Sequence, residues 1–187
     1  MGTIRTAGVL MATAFILAGH PSIAQDKGKT AAAELTSESQ AALQRLYGSE
    51  PLAKALGAKA LAILVFPAVK KAGLGIGGQY GEGTLLKNGA ADAYYKTTGA
   101  SFGLQAGAQE YGYAMFFMNA KALQEFSSAS GFEVGVGPSV VVMDEGKAKT
   151  ATTNTMKDDI YAFVFSQKGL MAGLGIQGNK ITKITPK

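Results

Sequence analysis

The stretch from Ala72 to Gly83 reads AGLGIGGQYGEG, and it constrains the fold more than any other part of the chain. Leu74 and Ile76 alternate with Gly73, Gly75 and Gly77, a period of two that belongs to a β-strand. Glycine in a strand costs backbone entropy and contributes no packing. A strand this rich in glycine leaves one face bare. A bare face permits a sharp bend, or lets a helix, another backbone or a ligand come close. Tight curling of the sheet and a ligand groove both satisfy that reading.

Strand signals surround this run. Leu61 to Phe66 (LAILVF) is a continuous apolar run ended by Pro67, as in a buried strand. Thr84–Lys87 and Ala90–Thr97 flank Asn88-Gly89, a pair that tolerates positive φ and marks a hairpin. Ala100–Gln109 alternates again, and Tyr111–Met118 is an aromatic-rich strand. Phe132–Met143, interrupted by Pro138, is followed by a turn at Asp144-Glu145-Gly146. Ile160–Phe165, Leu170–Gln177 and Lys180–Thr185 complete the strands, with turns at Lys168-Gly169 and Gly178-Asn179. Helical signals lie mainly upstream. Ser37 and Gln40 have capping-box spacing ahead of Ala42, Leu43, Leu46 and Tyr47, and Pro51 reopens a helix that ends at Gly57. Asn119 caps a short helix through Phe126. The expected class is α+β: a curled, partly closed antiparallel sheet, rich in glycine, with N-terminal helices packed on it.

The first 24 residues read as a secretory signal. One arginine, Arg5, precedes the apolar run Ala7–Ala18, and small residues follow at Ser22-Ile23-Ala24. The run is shorter than the ~20 apolar residues of a bilayer-spanning helix. Cleavage is expected after Ala24, followed by a flexible leader over 25–36 and one domain over 37–187. No later stretch is apolar enough to span a membrane as a helix. A periplasmic or secreted location follows.

What this leaves is informative. The chain has no cysteine, and its one histidine, His20, departs with the signal. A Ser-His-acid triad, a Cys-His pair and a zinc site built on His or Cys are therefore excluded within the processed chain. Gly99-Ala100-Ser101-Phe102-Gly103 matches the nucleophile-elbow spacing, but it has neither a strand-turn-helix setting nor a histidine base, and nothing brings a lysine into defined register with Ser101. Gly73, Gly75, Gly78 and Gly173, Gly175, Gly178 match a dinucleotide fingerprint in spacing, but no helix start follows either. Asp144-Glu145 and Asp158-Asp159 are adjacent acids, which on a strand point to opposite faces. No catalytic residue, metal site or cofactor is expected.

The net charge is +5, carried almost wholly by lysine; Arg45 is the only arginine after the signal. Lysine is a soft point charge, suited to a polyanionic surface rather than to reading bases, so no nucleic-acid partner is expected. Lys70-Lys71 precede the glycine run, with Lys54 and Lys59 upstream. Beside an anionic membrane each would contribute on the order of 1 kcal/mol.

The residues also carry a resemblance. Leu64-Val65-Phe66-Pro67, Lys71 through Gly78, and Tyr80-Gly81-Glu82-Gly83 resemble the opening signature of the SYLF domain. Ala100 through Gly107 with Gln109, Val134-Gly135-Val136-Gly137, and Phe165 through Met171 resemble its later blocks. The similarity runs from about Ser37 to the last residues and fits the exported, single-domain bacterial branch. It implies a non-catalytic lipid-binding module, with Lys71 matching the signature lysine and Lys70 as its neighbour. The expected partner is the anionic phospholipid head group of a membrane. The alternative is an envelope structural or adaptor protein that binds a protein or a wall polymer.

Overall fold

The computed structural model describes residues 23–143, 157–169 and 178–187. Helix α1 spans Ile23–Ser49 and α2 spans Pro51–Gly57. Residues 25–36, expected as a flexible leader, lie within α1. The reason is local: Ala31, Ala32, Ala33, Glu34 and Leu35 are strong helix formers, and no proline interrupts them. Leu35, Ala42, Leu43 and Leu46 are buried along α1, whereas Ser37 is exposed inside the helix rather than capping it. Glu50 is extended between the helices and Pro51 opens α2, where a missing N–H costs nothing.

Strands β1 (Ala62–Lys87) and β2 (Ala90–Phe117) form one long antiparallel hairpin. Its turn is Asn88-Gly89, with φ of 51° and 79°, the geometry that the sequence implies. The separate short strands expected on either side of Pro67 and Glu110 are fused. Pro67 does not end β1, because among the described residues β1 pairs only with β2 and is therefore an edge strand, where a proline is tolerated. The register instead shifts between Phe66 and Val69.

The hairpin bends back on itself between Gly73 and Gly77. Across the bend, the backbones of Gly73 and Gly77 touch, and Gly83 lies against the carbonyl oxygen of Val65. A Cβ on Gly83 would also lie 2.7 Å from Cδ1 of Phe66. From α1, the buried Ser39 hydroxyl reaches both arms, at 3.3 Å from the Val65 carbonyl and 3.1 Å from Thr84 Oγ1.

Helix α3 spans Ala120–Ser128, and the side chain of its cap, Asn119, accepts from the Ala122 N–H at 2.9 Å. Strands β3 (Phe132–Glu133), β4 (Val140–Met143), β5 (Ile160–Gly169) and β6 (Lys180–Ile184) complete the sheet. β2 is its spine: β5 pairs with its second half, β6 with its first, and β1 with its other edge. One pairing corrects the antiparallel expectation. β4 runs parallel to β5, with Val140 opposite Ile160 and Met143 opposite Phe163. A parallel neighbour needs a long crossover, and residues 144–159 supply the length. The curled sheet is thus mixed. The expected turn at Asp144-Glu145-Gly146 and strand at Leu170–Gln177 lie outside the described residues.

Both faces of the sheet are covered near β2's second half, which is why Ala62–Phe66 is unbroken apolar sequence; Leu61, just ahead of β1, is exposed. Leu64, Phe66, Tyr113, Met115 and Phe117 face a core that includes Phe126 of α3. Ile63, Val65, Ala114, Phe116 and Phe163 face the other core with Leu43 and Leu46 of α1 and Leu56 of α2. Burying a side chain of this size contributes about 1.5–3 kcal/mol.

Candidate functional site

Lys70 and Lys71 are neighbours on a strand and so point to opposite faces. Lys70 is exposed; Lys71 is 5% exposed and turned into the curl of the sheet. Lys70 stands opposite Glu110, which stands opposite Lys168. Lys54 is exposed on α2 and Lys59 is exposed just beyond it, by the start of β1. Lys70 lies eight strand positions beyond Ala62, about 26 Å at ~3.3 Å per residue. The four lysines do not form one patch, and the one singled out by the signature is interior.

Around Lys71 the structure gathers polar side chains that the sequence reading passed over. Gln79, Gln109 and Asn179 are buried with it. The Tyr111 hydroxyl donates to Gln79 Oε1 at 2.5 Å, and the Gln79 amide donates to Asn179 Oδ1. Gly99 stands opposite Gln79 and leaves room for this contact; a Cβ there would lie 2.8 Å from Gln79 Nε2. Gln109 Oε1 and Asn179 Nδ2 have no hydrogen-bond partner among the described residues. Burial pushes the Tyr111 phenol up to about 12, against a smaller opposing effect from Asn179. Tyr113, whose hydroxyl donates to Thr97 Oγ1 at 3.4 Å, is raised by the same cause. These phenols are neutral donors at physiological pH and are poorly suited as bases or nucleophiles. The available signal was that Lys71 and Gln79 share the inward phase of Gly73, Gly77, Gly81 and Gly83.

The outer face of the bend is different. Ile76 is 70% exposed and Tyr80 50% exposed, and Ala72, Gly78, Ala100 and Ala108 are exposed beside them. The Tyr80 hydroxyl donates to Glu82 at 2.5 Å, and this bond is the main cause that raises it to about 12. Ser101 lies within β2 opposite Gly77, and Gly73, Gly75 and Gly78 lie within β1. Neither the elbow nor the first fingerprint has the strand-to-helix turn its chemistry needs. The second fingerprint, at 173–178, lies almost wholly outside the described residues.

Described residues form hollows on the surface. One, of about 690 Å³, lies between the first turns of α1 and residues 184–187, and includes Lys27, Lys29, Tyr94, Ile184, Pro186 and Lys187. Another, of about 290 Å³, lies beside Asp159. Asp159 accepts from Asn119 Nδ2 at 2.7 Å and from the Ser139 N–H at 3.3 Å. These bonds, Asn119's foremost, hold its carboxyl below the ordinary carboxylate range. A carboxyl depressed in the folded state stabilises above its unfolded pKa, and that contribution is lost as pH falls through the folded value. Melting temperature should therefore fall below about pH 4, and less steeply in Asp159→Asn, as thermal melts across pH would show. A slope unchanged by the substitution would separate Asp159 from the acid response.

Among the described residues, no helix is long and apolar enough to cross a membrane. No curated protein matches the chain. Its residues 98–185 match the family model described as Ysc84, Las17-binding protein actin regulator, the SYLF-domain family that the sequence resembles.

Proposed function

We propose that the protein is a non-catalytic, peripheral binder of anionic phospholipid head groups that acts outside the cytoplasm after its first 24 residues are removed. The observation that carries this reading is the outer face of the bend. An exposed isoleucine and tyrosine stand among small residues, with Lys70 on the same strand and Lys168 on β5, on either side of Glu110. An apolar tip that enters the interface, backed by lysines at head-group level, is a physical basis for reversible attachment. The lipid-binding character of the SYLF family supports the same reading. Lys54 and Lys59 are exposed cations that would add long-range attraction rather than contacts at the bend. Lys71 would act from within, by holding the bend's inner face polar.

Vesicle co-sedimentation over a salt series tests this. Binding should favour anionic over zwitterionic vesicles and weaken as the Debye length shrinks from ~10 Å at 0.1 M. Lys70→Glu and Ile76→Ser should each weaken it several-fold, since about 1 kcal/mol per contact is a factor of about five. Equal affinity for both vesicle types, or indifference to salt, would sink the proposal.

A second reading rests on the family description, which names binding to a protein. An envelope protein partner is its counterpart for an exported chain. Capture of one specific envelope protein, together with no vesicle binding, would favour it.

A further inference from the structure

We infer that the cleft between the first turns of α1 and residues 184–187 is a binding site for a single-chain anionic amphiphile, of which a long-chain fatty acid is the simplest. The site is distinct from the bend and stands without it. Its volume of about 690 Å³ falls within the roughly 300–1,000 Å³ of small-molecule sites.

The walls are Ala32, Tyr94, Ile184 and Pro186. Tyr94 offers its ring and not a free proton. The Thr36 hydroxyl donates to the Ala32 carbonyl at 2.8 Å, so the Tyr94 hydroxyl, 2.9 Å from Thr36 Oγ1, must be the donor in that pair. Gly28 shapes the same wall, because a Cβ there would lie 3.3 Å from the Pro186 carbonyl oxygen.

The charged side chains of the lining are those of Lys27, Lys29 and Lys187, all exposed, and no Asp or Glu lines the cleft. Lysine stems can lie along an apolar wall while their ammoniums stay at the rim. A bare inorganic anion would use the rim and leave the walls wet. An uncharged hydrocarbon would use the walls and leave the cations unmatched. An anionic head on a single chain satisfies both.

Titration of the purified protein with the fluorescent fatty acid cis-parinaric acid, below its micelle concentration, tests the assignment. Saturable binding of one probe per chain is expected. Ala32→Phe, which fills the cleft, should weaken it at least ~tenfold, and the triple variant Lys27→Ala, Lys29→Ala, Lys187→Ala about tenfold, less so in high salt. The uncharged methyl ester should bind about tenfold more weakly than the acid. Lys70→Glu should leave probe binding unchanged while lowering vesicle binding, so the two sites fail or succeed separately. If Ala32→Phe does not fold, the lysine variant, at exposed positions, carries the test. Absence of saturable binding, or binding that neither cleft variant alters, would overturn the assignment. Probe binding absent together with an oligomeric state shifted by Ala32→Phe would give the cleft to a second copy of the chain, and would overturn it equally.

Discussion

Valine at position 83 should destabilise the protein by about 3 kcal/mol, or prevent folding altogether. Gly83 lies where one arm of β1 meets the other, against the Val65 carbonyl and the Phe66 ring. The carbonyl belongs to backbone fixed by pairing with β2, so it cannot swing aside as a flexible side chain would. Any β-carbon must push the two arms apart and disturb the Ser39 hydroxyl that links Val65 with Thr84. Gly48→Ala is the matched control. Nothing lies within 4 Å of a Cβ at that position in α1, so it should gain up to about 1 kcal/mol from reduced backbone freedom in the unfolded chain. Urea denaturation of both variants decides the matter. A loss under about 1 kcal/mol at position 83 would mean that the arms do not nest as described.

Phe126→Ala should cost about 3–5 kcal/mol. The Phe126 ring centroid lies 4.8 Å from that of Tyr95, 4.9 Å from Phe117 and 5.2 Å from Phe132, so one side chain joins α3, β2 and β3. At nine residues α3 is too short to persist without packing, even with Asn119 capping it. Its docking therefore rests on this ring. Thermal unfolding should show the loss, and hydrogen exchange should show α3 amides opening before those of β2. A drop below about 1 kcal/mol, with α3 still protected, would place the anchor elsewhere.

Features set by a few adjacent residues were legible in the sequence. Asn88-Gly89 needs only its own tolerance of positive φ, and Asn119 needs only the next turn of helix. The apolar run Ala62–Phe66 announced burial on both faces. Features set at a distance were not legible. The β4–β5 pairing depends on a crossover, so Val140–Met143 carries no mark of its direction. The side of Lys71 turns on the register shift between Phe66 and Val69. Without that extra residue Lys71 would share the phase of Ile63 and Val65, and Lys70 would point inward. The bulge at Pro67 exchanges the two lysines. A pattern reading registers the proline as a stop and cannot see that it is a change of phase. The cleft was illegible for a plainer reason: Lys27 and Lys187 lie at opposite ends of the sequence.

That β2 serves as spine also bears on where an autonomous unit begins. The family match opens at residue 98, inside β2, at the last of the five positions, Tyr94 to Thr98, through which this strand holds β6. A fragment cut there would lose β1 entirely, and with it the partner that lines β2 from Ala90 to Phe117. The matched stretch lacks β1 and so one edge of its own sheet. The folding unit must reach back at least to the helix whose serine holds the two arms of β1 together.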